Sequence, residues 1–346
     1  MDTRGALADS KTGGSQLRPD FSSSKYRSLI QSRSLAIDWD NHVKHDASVH
    51  RLVETKGRRG GFMRHNIRAM ILGIAQDGGV PHPGCNCNTC QFYWENKVVL
   101  SPSSLAIIDE KQLHLIDVTR NLDRQLRKIG NRNVTDIWLT HGHIGHIDGI
   151  GLFGKEVMNV KNVKLHASKS MIELILNTPK WNKLVDDNIL IPTQFKSNEP
   201  IQISENLVIT PIQVPHRDEL TDTHAFLING PEKSLLYLPD HDSWEETLDC
   251  VEKETVNEWF ESLGIEIVLL DGTFWSKNEL PRQNDVPHPP ILDSLERLSN
   301  LNGKKLEVFF IHFNHTNPLL IPKSNEIKQL LDSGCKISIE GQQFLL

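Results

Sequence analysis

One segment of the chain places strong limits on its fold. Residues 139–149 read LTHGHIGHIDG and contain three histidines within six residues, His141, His143 and His146. Residues 134–139, VTDIWL, are β-branched or apolar apart from Asp136, which is typical of a buried strand. The histidines therefore lie where a strand ends, and His141 and His143 can point to one side of an extended chain. Because imidazole is the commonest metal ligand, the pattern predicts a metal site, with a solvated polar strand end as the alternative.

Length, composition and charge narrow the classes of protein that this chain can represent. Its 346 residues suffice for one large or two ordinary domains. The mean hydropathy is −0.37, and no run of about 18 apolar residues occurs, so we expect no membrane-spanning helix and no membrane partner. Residues 1–65 carry 12 Lys and Arg against 7 Asp and Glu, a net charge of +5, which leaves −11 on the rest of a chain of net charge −6. This acidic remainder argues against a nucleic-acid partner.

The first part of the chain differs in composition from the remainder. Residues 1–65 are rich in Ser, Arg, Lys, Gly and Asp, which predicts a largely disordered N-terminal extension before one domain over residues 66–346. No apolar segment follows the start, as a secretory signal would require. The Ser and Arg content suits import into an organelle, whereas Asp2, Asp9 and Asp20 do not. We therefore expect a cytoplasmic protein, with organellar import as the alternative.

From residue 67 onward, strand and helix patterns alternate. Apolar runs predict strands at residues 69–75, 105–109, 113–118, 136–140, 163–166, 207–212, 224–228, 234–238, 265–270, 306–312 and 336–340. Periodicity and capping residues predict helices at residues 121–129, 168–177, 245–263, 290–299 and 325–332. Many strands with interspersed helices predict two sheets covered by helices.

Three of the five cysteines, Cys85, Cys87 and Cys90, lie within six residues. An odd number of cysteines with this spacing is a poor disulfide framework and favours a metal clip in a reducing compartment. The three thiolates would need one further soft ligand to close a tetrahedral zinc site. Cys250, within a helical pattern, and Cys335, beside a strand, are expected to be buried packing residues.

Further residues of metal-binding type follow later predicted strands. These are His216, Asp240, His312 and His315. Together with the histidine cluster they resemble the metallo-β-lactamase superfamily, and more closely the pyrroloquinoline quinone (PQQ) biosynthesis protein B family. The resemblance covers roughly residues 67–346. It rests on GIAQDGG (73–79), CNCNTC (85–90), THGHIGH (140–146), VPHRD (214–218), DGTFW (271–275) and HFNHTNP (312–318).

The resemblance implies an αββα sandwich, two mixed sheets flanked by helices, with a metal centre at one edge of the sheets. A first metal position would take three imidazoles, those of His141, His143 and His216. A second would take a loop aspartate and two imidazoles, those of His146 and His312, and Asp240 would bridge the two positions. A structural zinc ion would be held by the remaining matched residues, Cys85, Cys87, Cys90 and His315.

The chain departs from the superfamily pattern at one ligand, because the loop aspartate is Gly145 here. Without that carboxylate a dinuclear hydrolase is less expected, and His146, His312 and Asp240 remain at the second position. Two histidines and one carboxylate suit a non-haem Fe(II) centre that handles O2. The resemblance accordingly implies an iron-dependent oxygenase that hydroxylates a small substrate derived from tyrosine or another amino acid.

Two alternatives stay open at this point. One is a zinc hydrolase of a lactam, ester or phosphodiester that uses His141, His143 and His216. The other is a metal-stabilised binding or carrier protein without turnover. The active-site cation is expected to be Fe2+ or Zn2+ and the substrate a small molecule or short peptide. A homodimer is an open option.

Other residues in these motifs could support the ligands. Asp117 ends a predicted strand and could orient a ligating histidine, as neighbouring carboxylates commonly do. A turn or capping role is about equally expected for the other charged residues, Asp77, Arg217, Asp218, Asp222 and Asp271. Four histidines could line the pocket, although a lone histidine is more often structural: His82, His224, His241 and His288.

Overall fold

The computed structural model describes residues 66–110, 112–281, 283–298 and 305–346. The predicted N-terminal extension, residues 1–65, lies outside the described residues. Seven strands form a first sheet: β1 (Arg68–Gly73), β2 (Ser104–Asp109), β3 (Gln112–Ile116), β4 (Asp136–Trp138), β5 (Val163–Ala167), β6 (Leu190–Gln194) and β14 (Gln343–Leu345). A second sheet contains β7 (Ile201–Ser204), β8 (Leu207–Val214), β9 (Thr223–Asn229), β10 (Ser234–Leu238), β11 (Ile267–Asp271), β12 (Glu307–Ile311) and β13 (Lys336–Ile337).

Both sheets are mixed and have the same plan. The strand order is β14-β1-β2-β3-β4-β5-β6 in the first sheet and β13-β12-β11-β10-β9-β8-β7 in the second. Pairing in the first sheet is antiparallel from β14 to β3 and parallel from β3 to β6. In the second sheet it is antiparallel from β7 to β10 and parallel from β10 to β13. Each sheet therefore has a block of parallel strands whose carboxyl ends share one edge.

Aromatic side chains join the two sheets. The ring of Trp138 in β4 meets that of Phe226 in β9 edge-on, with centroids 5.8 Å apart. Phe309 in β12 and Phe344 in β14 meet in the same manner at 5.0 Å. Trp138 and Phe226 are fully buried, and a buried aromatic side chain removes roughly 150–250 Å² from water. The interior between the sheets is therefore packed with aromatic rings, and Trp138 also stacks on the buried imidazole of His166 at 3.9 Å.

Helices cover the sheets on their other faces. The α-helices are α1 (Asn88–Glu95), α2 (Leu122–Lys128), α3 (Ile144–Ile147), α4 (Lys169–Asn177), α5 (Pro179–Asp186), α6 (Trp244–Cys250), α7 (Val256–Leu263), α8 (Ile291–Arg297) and α9 (Asn325–Asp332). Leu122 of α2, Met171 of α4 and Trp181 of α5 belong to one apolar cluster with the strands of the first sheet. The predicted arrangement of two mixed sheets flanked by helices is confirmed.

The single helix predicted over residues 245–263 is wrong, because the segment forms two helices. The chain reverses at Glu252, which has a φ of 55°, and Thr255 then caps α7 by accepting a hydrogen bond from the backbone N–H of Glu258 at 3.1 Å. A side-chain cap of this kind satisfies a backbone donor that the first turn leaves free. Because α6 ends at Cys250, this cysteine is exposed rather than buried as predicted, whereas Cys335 is buried.

Three strands escaped prediction, and each lies at or beside a sheet edge. β6 contains Pro192, which cannot donate to a neighbouring strand and is tolerated because β6 is the last strand of its sheet. β7 ends the second sheet, and β14 pairs only three residues with β1. Short edge strands carry little apolar periodicity, so sequence pattern alone does not reveal them. Within the described ranges, no helix combines the length and the apolar character needed to cross a bilayer.

The cap on α7 gives a direct test of the helix break. We expect Thr255→Ala to lower the free energy of unfolding by about 1 kcal/mol, because the N–H of Glu258 loses its side-chain acceptor. Thr255→Ser keeps a hydroxyl acceptor and should retain most of the stability. Urea denaturation of both variants measures the difference. Equal unfolding free energies for Thr255→Ala and the parent protein would contradict the capping role.

Candidate metal centre

Three imidazoles from two strand ends meet at the carboxyl edge of the sheets. His141 and His143 follow β4 in the first sheet, and His216 follows β8 in the second. One nitrogen from each ring lies within 4.8 Å of the other two, and the rings of His141 and His143 are nearly perpendicular with centroids 4.5 Å apart. The structure thus brings together the three residues expected at the first metal position.

A second group lies beside the first and shares one carboxylate with it. His146 Nε2 is 3.3 Å from Asp240 Oδ2, and His312 Nε2 is 3.5 Å from Asp240 Oδ1. The same Oδ1 is 3.7 Å from His216 Nε2 in the first group. Asp240 therefore stands between the two groups, as expected for a bridging ligand.

Several atoms of this cluster are buried without a partner. Among the described residues, His143 Nε2, Asp240 Oδ2 and His312 Nε2 are buried and make no hydrogen bond. A buried polar atom without a partner is costly, and such atoms call for an explanation such as a bound ion. Imidazole nitrogen and carboxylate oxygen are ligands of Zn2+ and of other divalent transition metals. The residues present therefore fit a metal centre.

The second nitrogen of most of these imidazoles is held by a neighbouring side chain. The Nδ1 partners are Thr140 for His141, Asp117 for His146, Asp242 for His216 and Thr273 for His312, at 2.7–2.9 Å. The two threonine hydroxyls in turn donate to Asp117 and Asp271. These bonds fix the ring orientation, so that Nε2 of His146, His216 and His312 faces the carboxylate of Asp240, while Nε2 of His141 lies 2.9 Å from His143 Nδ1.

Asp117 is the most strongly constrained of these supports. It is fully buried after β3, has a φ of 62°, and accepts hydrogen bonds from the backbone N–H of Thr140 and from His146 Nδ1. A non-glycine residue with this backbone conformation is uncommon and is retained where the surroundings determine it strongly. The predicted orienting role of Asp117 agrees with this geometry. Asp242 and Thr273 were not predicted, although Asp242 lies only two residues after Asp240.

Burial and charge set the protonation of the two groups differently. Burial, followed by the neighbouring imidazoles, lowers the pKa of His143 to about 4 and holds the pKa of His141 well below its usual value. Burial would also lower the pKa of His146 and His312, but the carboxylate of Asp240 outweighs it and raises both pKa values. The lowered pKa values favour the neutral, ligand form of His141 and His143, whereas the raised pKa values of His146 and His312 reflect the negative charge of Asp240.

Asp77 also belongs to the second group. It lies in the loop after β1, and its Oδ1 is 3.4 Å from His146 Nε2 and 3.9 Å from His312 Nε2. Burial would raise the pKa of Asp77, but the adjacent imidazoles of His146 and His312 hold that pKa well below its usual range. The carboxylate is therefore an anion that faces the same space as Asp240.

The other predicted residues fall near the centre or away from it. Asp271 is buried and accepts a hydrogen bond from His288 Nδ1 at 2.7 Å, and one nitrogen of His288 lies within 4.8 Å of ligand atoms of His216 and Asp240. Three other residues form side-chain hydrogen bonds with residues that are not candidate ligands: Asp222 with Ser168, His224 with Ser197, and His241 with Thr247. Asp218 is exposed. Arg217 pairs with Glu219 at 2.6 Å, and Glu219, which was not predicted, lies 3.4 Å from His143 Nε2.

The cysteine segment forms a separate candidate site. The sulfur atoms of Cys85, Cys87 and Cys90 and one nitrogen of His315 lie within 4.8 Å of one another, and His315 Nδ1 is 3.5 Å from the sulfurs of both Cys85 and Cys87. The backbone N–H groups of His82, Cys87 and Cys90 donate to these sulfurs. His82 also packs its ring on that of His315. Three thiolates and one imidazole are a frequent ligand set of structural zinc.

Comparisons with known proteins agree with this architecture. The family model described as "Beta-lactamase superfamily domain" matches residues 115–313, more than half of the chain. "Coenzyme PQQ synthesis protein B" of Methylobacterium sp. (strain 4-46) is 21% identical over 312 residues, covering 80% of this chain and 98% of the relative. The crystal structure of Zn2+-bound PqqB from Methylobacterium extorquens superposes with a TM-score of 0.65 at 20% identity, over 81% of this chain and all of that one. A diphosphatase of the PhnP family gives a TM-score of 0.59 at 20% identity, over 81% and 97%.

The support of His146 by Asp117 can be tested through metal affinity. We expect Asp117→Asn to weaken Zn2+ binding at the second group by about 10- to 100-fold, because His146 loses the carboxylate that orients it. Competition with a chromogenic chelator measures the change. Asp136→Asn is a matched control, since Asp136 is a buried carboxylate bonded to His166 rather than to a ligand. Similar affinities in Asp117→Asn and the control would contradict the orienting role.

The cysteine site should hold one zinc ion independently of the histidine centre. We expect Cys87→Ser to lose that ion and to unfold at a lower temperature, because metal binding energy contributes to folding, whereas His143→Ala should keep the ion. Elemental analysis and thermal unfolding report both effects. Cys250→Ser is the matched control, since Cys250 is exposed and lies in α6. Retention of the full zinc content by Cys87→Ser would refute the site.

Proposed function

The chain belongs to the β-lactamase superfamily, and from that membership and the geometry of its centre we propose that it is a metal-dependent hydrolase of a small molecule or short peptide. The single observation that carries the proposal is the three-histidine group of His141, His143 and His216 with the adjoining carboxylate of Asp240. Three protein ligands with one open position are the usual arrangement of catalytic zinc. When bound there, a divalent cation polarises a substrate oxygen and makes water nucleophilic near neutral pH.

The residues of the chain divide the remaining work. His141, His143 and His216 would hold the cation, and Thr140 and Asp242 keep two of these rings in place. His288 Nδ1 is hydrogen-bonded to Asp271, which orients this ring beside His216 and Asp240. The burial of the ligands keeps bulk water from competing for them, which strengthens the electrostatic contacts inside the site.

We propose that the hydrolysed bond is that of a lactam, an ester or a phosphodiester, as the sequence analysis predicts for the hydrolase. The similarity to the diphosphatase supports the fold only, at 20% identity. The similarity to a PqqB structure described as Zn2+-bound supports zinc as the cation of this chain. The acidic remainder of the chain favours a small substrate over a nucleic acid.

An iron-dependent oxygenase is the second candidate function. It is favoured by the group of His146, His312 and Asp240, which is a two-histidine, one-carboxylate set. The similarity to "Coenzyme PQQ synthesis protein B" over 80% of the chain supports a role in the synthesis of a cofactor for this candidate. The two candidates differ in cation and in cosubstrate, so one set of measurements separates them.

Purification without oxygen, followed by loading with either Zn2+ or Fe2+, tests both candidates. We expect the zinc-loaded protein to hydrolyse at least one of bis-p-nitrophenyl phosphate, p-nitrophenyl acetate and a chromogenic cephalosporin. His143→Ala should lower kcat/KM by at least about 100-fold, because it removes a ligand of the catalytic cation. Oxygen uptake by the iron-loaded protein with tyrosine or tyrosine-containing peptides, without any hydrolysis by the zinc form, would replace the hydrolase by the oxygenase.

A further inference from the structure

A carboxylate occupies the space beside Gly145. A Cβ atom at position 145 would lie 2.5 Å from both Cα and Cγ of Asp77, and closer still to its Oδ1. Cβ atoms do not approach other heavy atoms so closely, and glycine is the residue that permits such an approach of side chain to backbone. Gly145 and Asp77 are therefore matched, because any larger side chain at position 145 would need the volume that Asp77 fills.

Asp77 lies close to the imidazoles of His146 and His312. A loop aspartate at position 145 is expected to share a metal position with the same two imidazoles. The carboxylate oxygen of Asp77 and the nitrogens of His146 and His312 all lie within 4.8 Å of one another. The nearer distance, to His146 Nε2, is 3.4 Å, and Asp240 Oδ2 lies 3.3 Å from the same nitrogen. Two carboxylates thus lie close to the same nitrogen of His146, and both also approach Nε2 of His312.

The charges and the unpaired atoms at this point call for a cation. Within the described part of the chain, His312 Nε2 and Asp240 Oδ2 are buried and have no hydrogen-bond partner. A cation between them satisfies both atoms and screens the two carboxylates from each other. Asp77 keeps 36% of its side chain exposed, so this position opens toward the entrance of the site.

Backbone contacts hold Asp77 in register with His312. The N–H of Gln76 donates to the carbonyl of Phe313 at 2.9 Å, and the N–H of Phe313 donates to the carbonyl of Ile74 at 2.8 Å. Phe313 directly follows His312, so the two ligand-bearing segments are tied by a pair of hydrogen bonds. The backbone at Asp77 is therefore held beside the segment that carries His312.

We propose that Asp77 supplies the carboxylate that Gly145 leaves missing, and completes a second cation position with His146, His312 and Asp240. This position presents two imidazoles and two carboxylates, one of them shared, and takes Zn2+, Mn2+ or Fe2+. The inference deepens the proposed metal-dependent function and rests on it. With both positions filled, the centre holds two cations on either side of Asp240, the arrangement that stabilises both the attacking and the leaving oxygen in a displacement.

The test counts zinc ions and measures their affinity in four variants. The folded protein, stripped of metal at the centre and reloaded with Zn2+ alone, is dialysed and analysed for zinc per chain. We expect Asp77→Asn to hold one equivalent less than the parent protein, or to bind it at least about 100-fold more weakly, beyond the roughly 10- to 100-fold that loss of an outer partner costs. Gly145→Ala removes no ligand, yet it should show the same loss because its methyl group displaces Asp77.

Two control variants separate this effect from general disturbance of the loop. Asp148→Asn neutralises a half-buried carboxylate close to His146. Gly151→Ala adds a methyl group where no described heavy atom lies within 4 Å. Both controls should keep the zinc content of the parent protein. Circular dichroism checks that each variant is folded.

The outcomes distinguish this inference from the proposed function. Equal zinc content and affinity in the parent protein, Asp77→Asn and Gly145→Ala would overturn the inference and leave the hydrolase proposal intact. A parent protein with two zinc ions at the centre, one of them lost in Asp77→Asn, supports the inference even if no tested substrate is hydrolysed. A centre that binds no cation in the parent protein would overturn both.

Discussion

The carboxyl edge of the sandwich is organised by the cost of burying many polar groups together. The six ligand residues, His141, His143, His146, His216, Asp240 and His312, are each at most 9% exposed. Buried imidazoles and carboxylates are tolerated only when their polar atoms have partners. Hydrogen bonds with neighbouring side chains satisfy Nδ1 of four of the rings, and a bound cation would give Asp240 and the remaining Nε2 atoms a common partner. A cation is contacted by ligands from several directions, which one strand cannot provide. The chain therefore supplies these groups from the ends of strands in both sheets.

The position of the candidate ligands at the ends of strands explains how much of the site the sequence could predict. Residues of metal-binding type that follow strands running in one direction meet at one edge of a sheet. The structure brings the six candidate ligands together there, and it brings the three cysteines and His315 together at a separate site. The fold class followed from the same alternation of strands and helices. Contacts between distant segments were harder to foresee. The helix break at Glu252 depends on a local reversal of the backbone, and the role of Asp242 depends on a contact across 26 residues; neither has a periodic signal.

The same limit applies to the prediction drawn from Gly145. A missing loop ligand suggests a sparser site if ligands are counted within one motif. The structure shows that the carboxylate of Asp77 lies in that space although it belongs to the loop after β1. Sequence motifs fix residue types at short spacing, whereas a metal position depends only on which atoms converge. The glycine therefore indicates that another group fills the adjacent space, and does not by itself indicate that a carboxylate is missing.

The cysteine clip and the histidine centre are also connected through this loop. The segment that begins at Gln76 continues to the three cysteines, and the segment after β12 carries both His312 and His315. The two segments are thus joined twice, by the backbone bonds of Phe313 near the centre and by the contacts of His315 with Cys85 and Cys87. Because a closed clip contributes to the folding of both segments, it also restrains the distance between Asp77 and His312. A zinc ion bound by the cysteines would therefore help to position Asp77 and His312 although it contributes no ligand to the histidine centre.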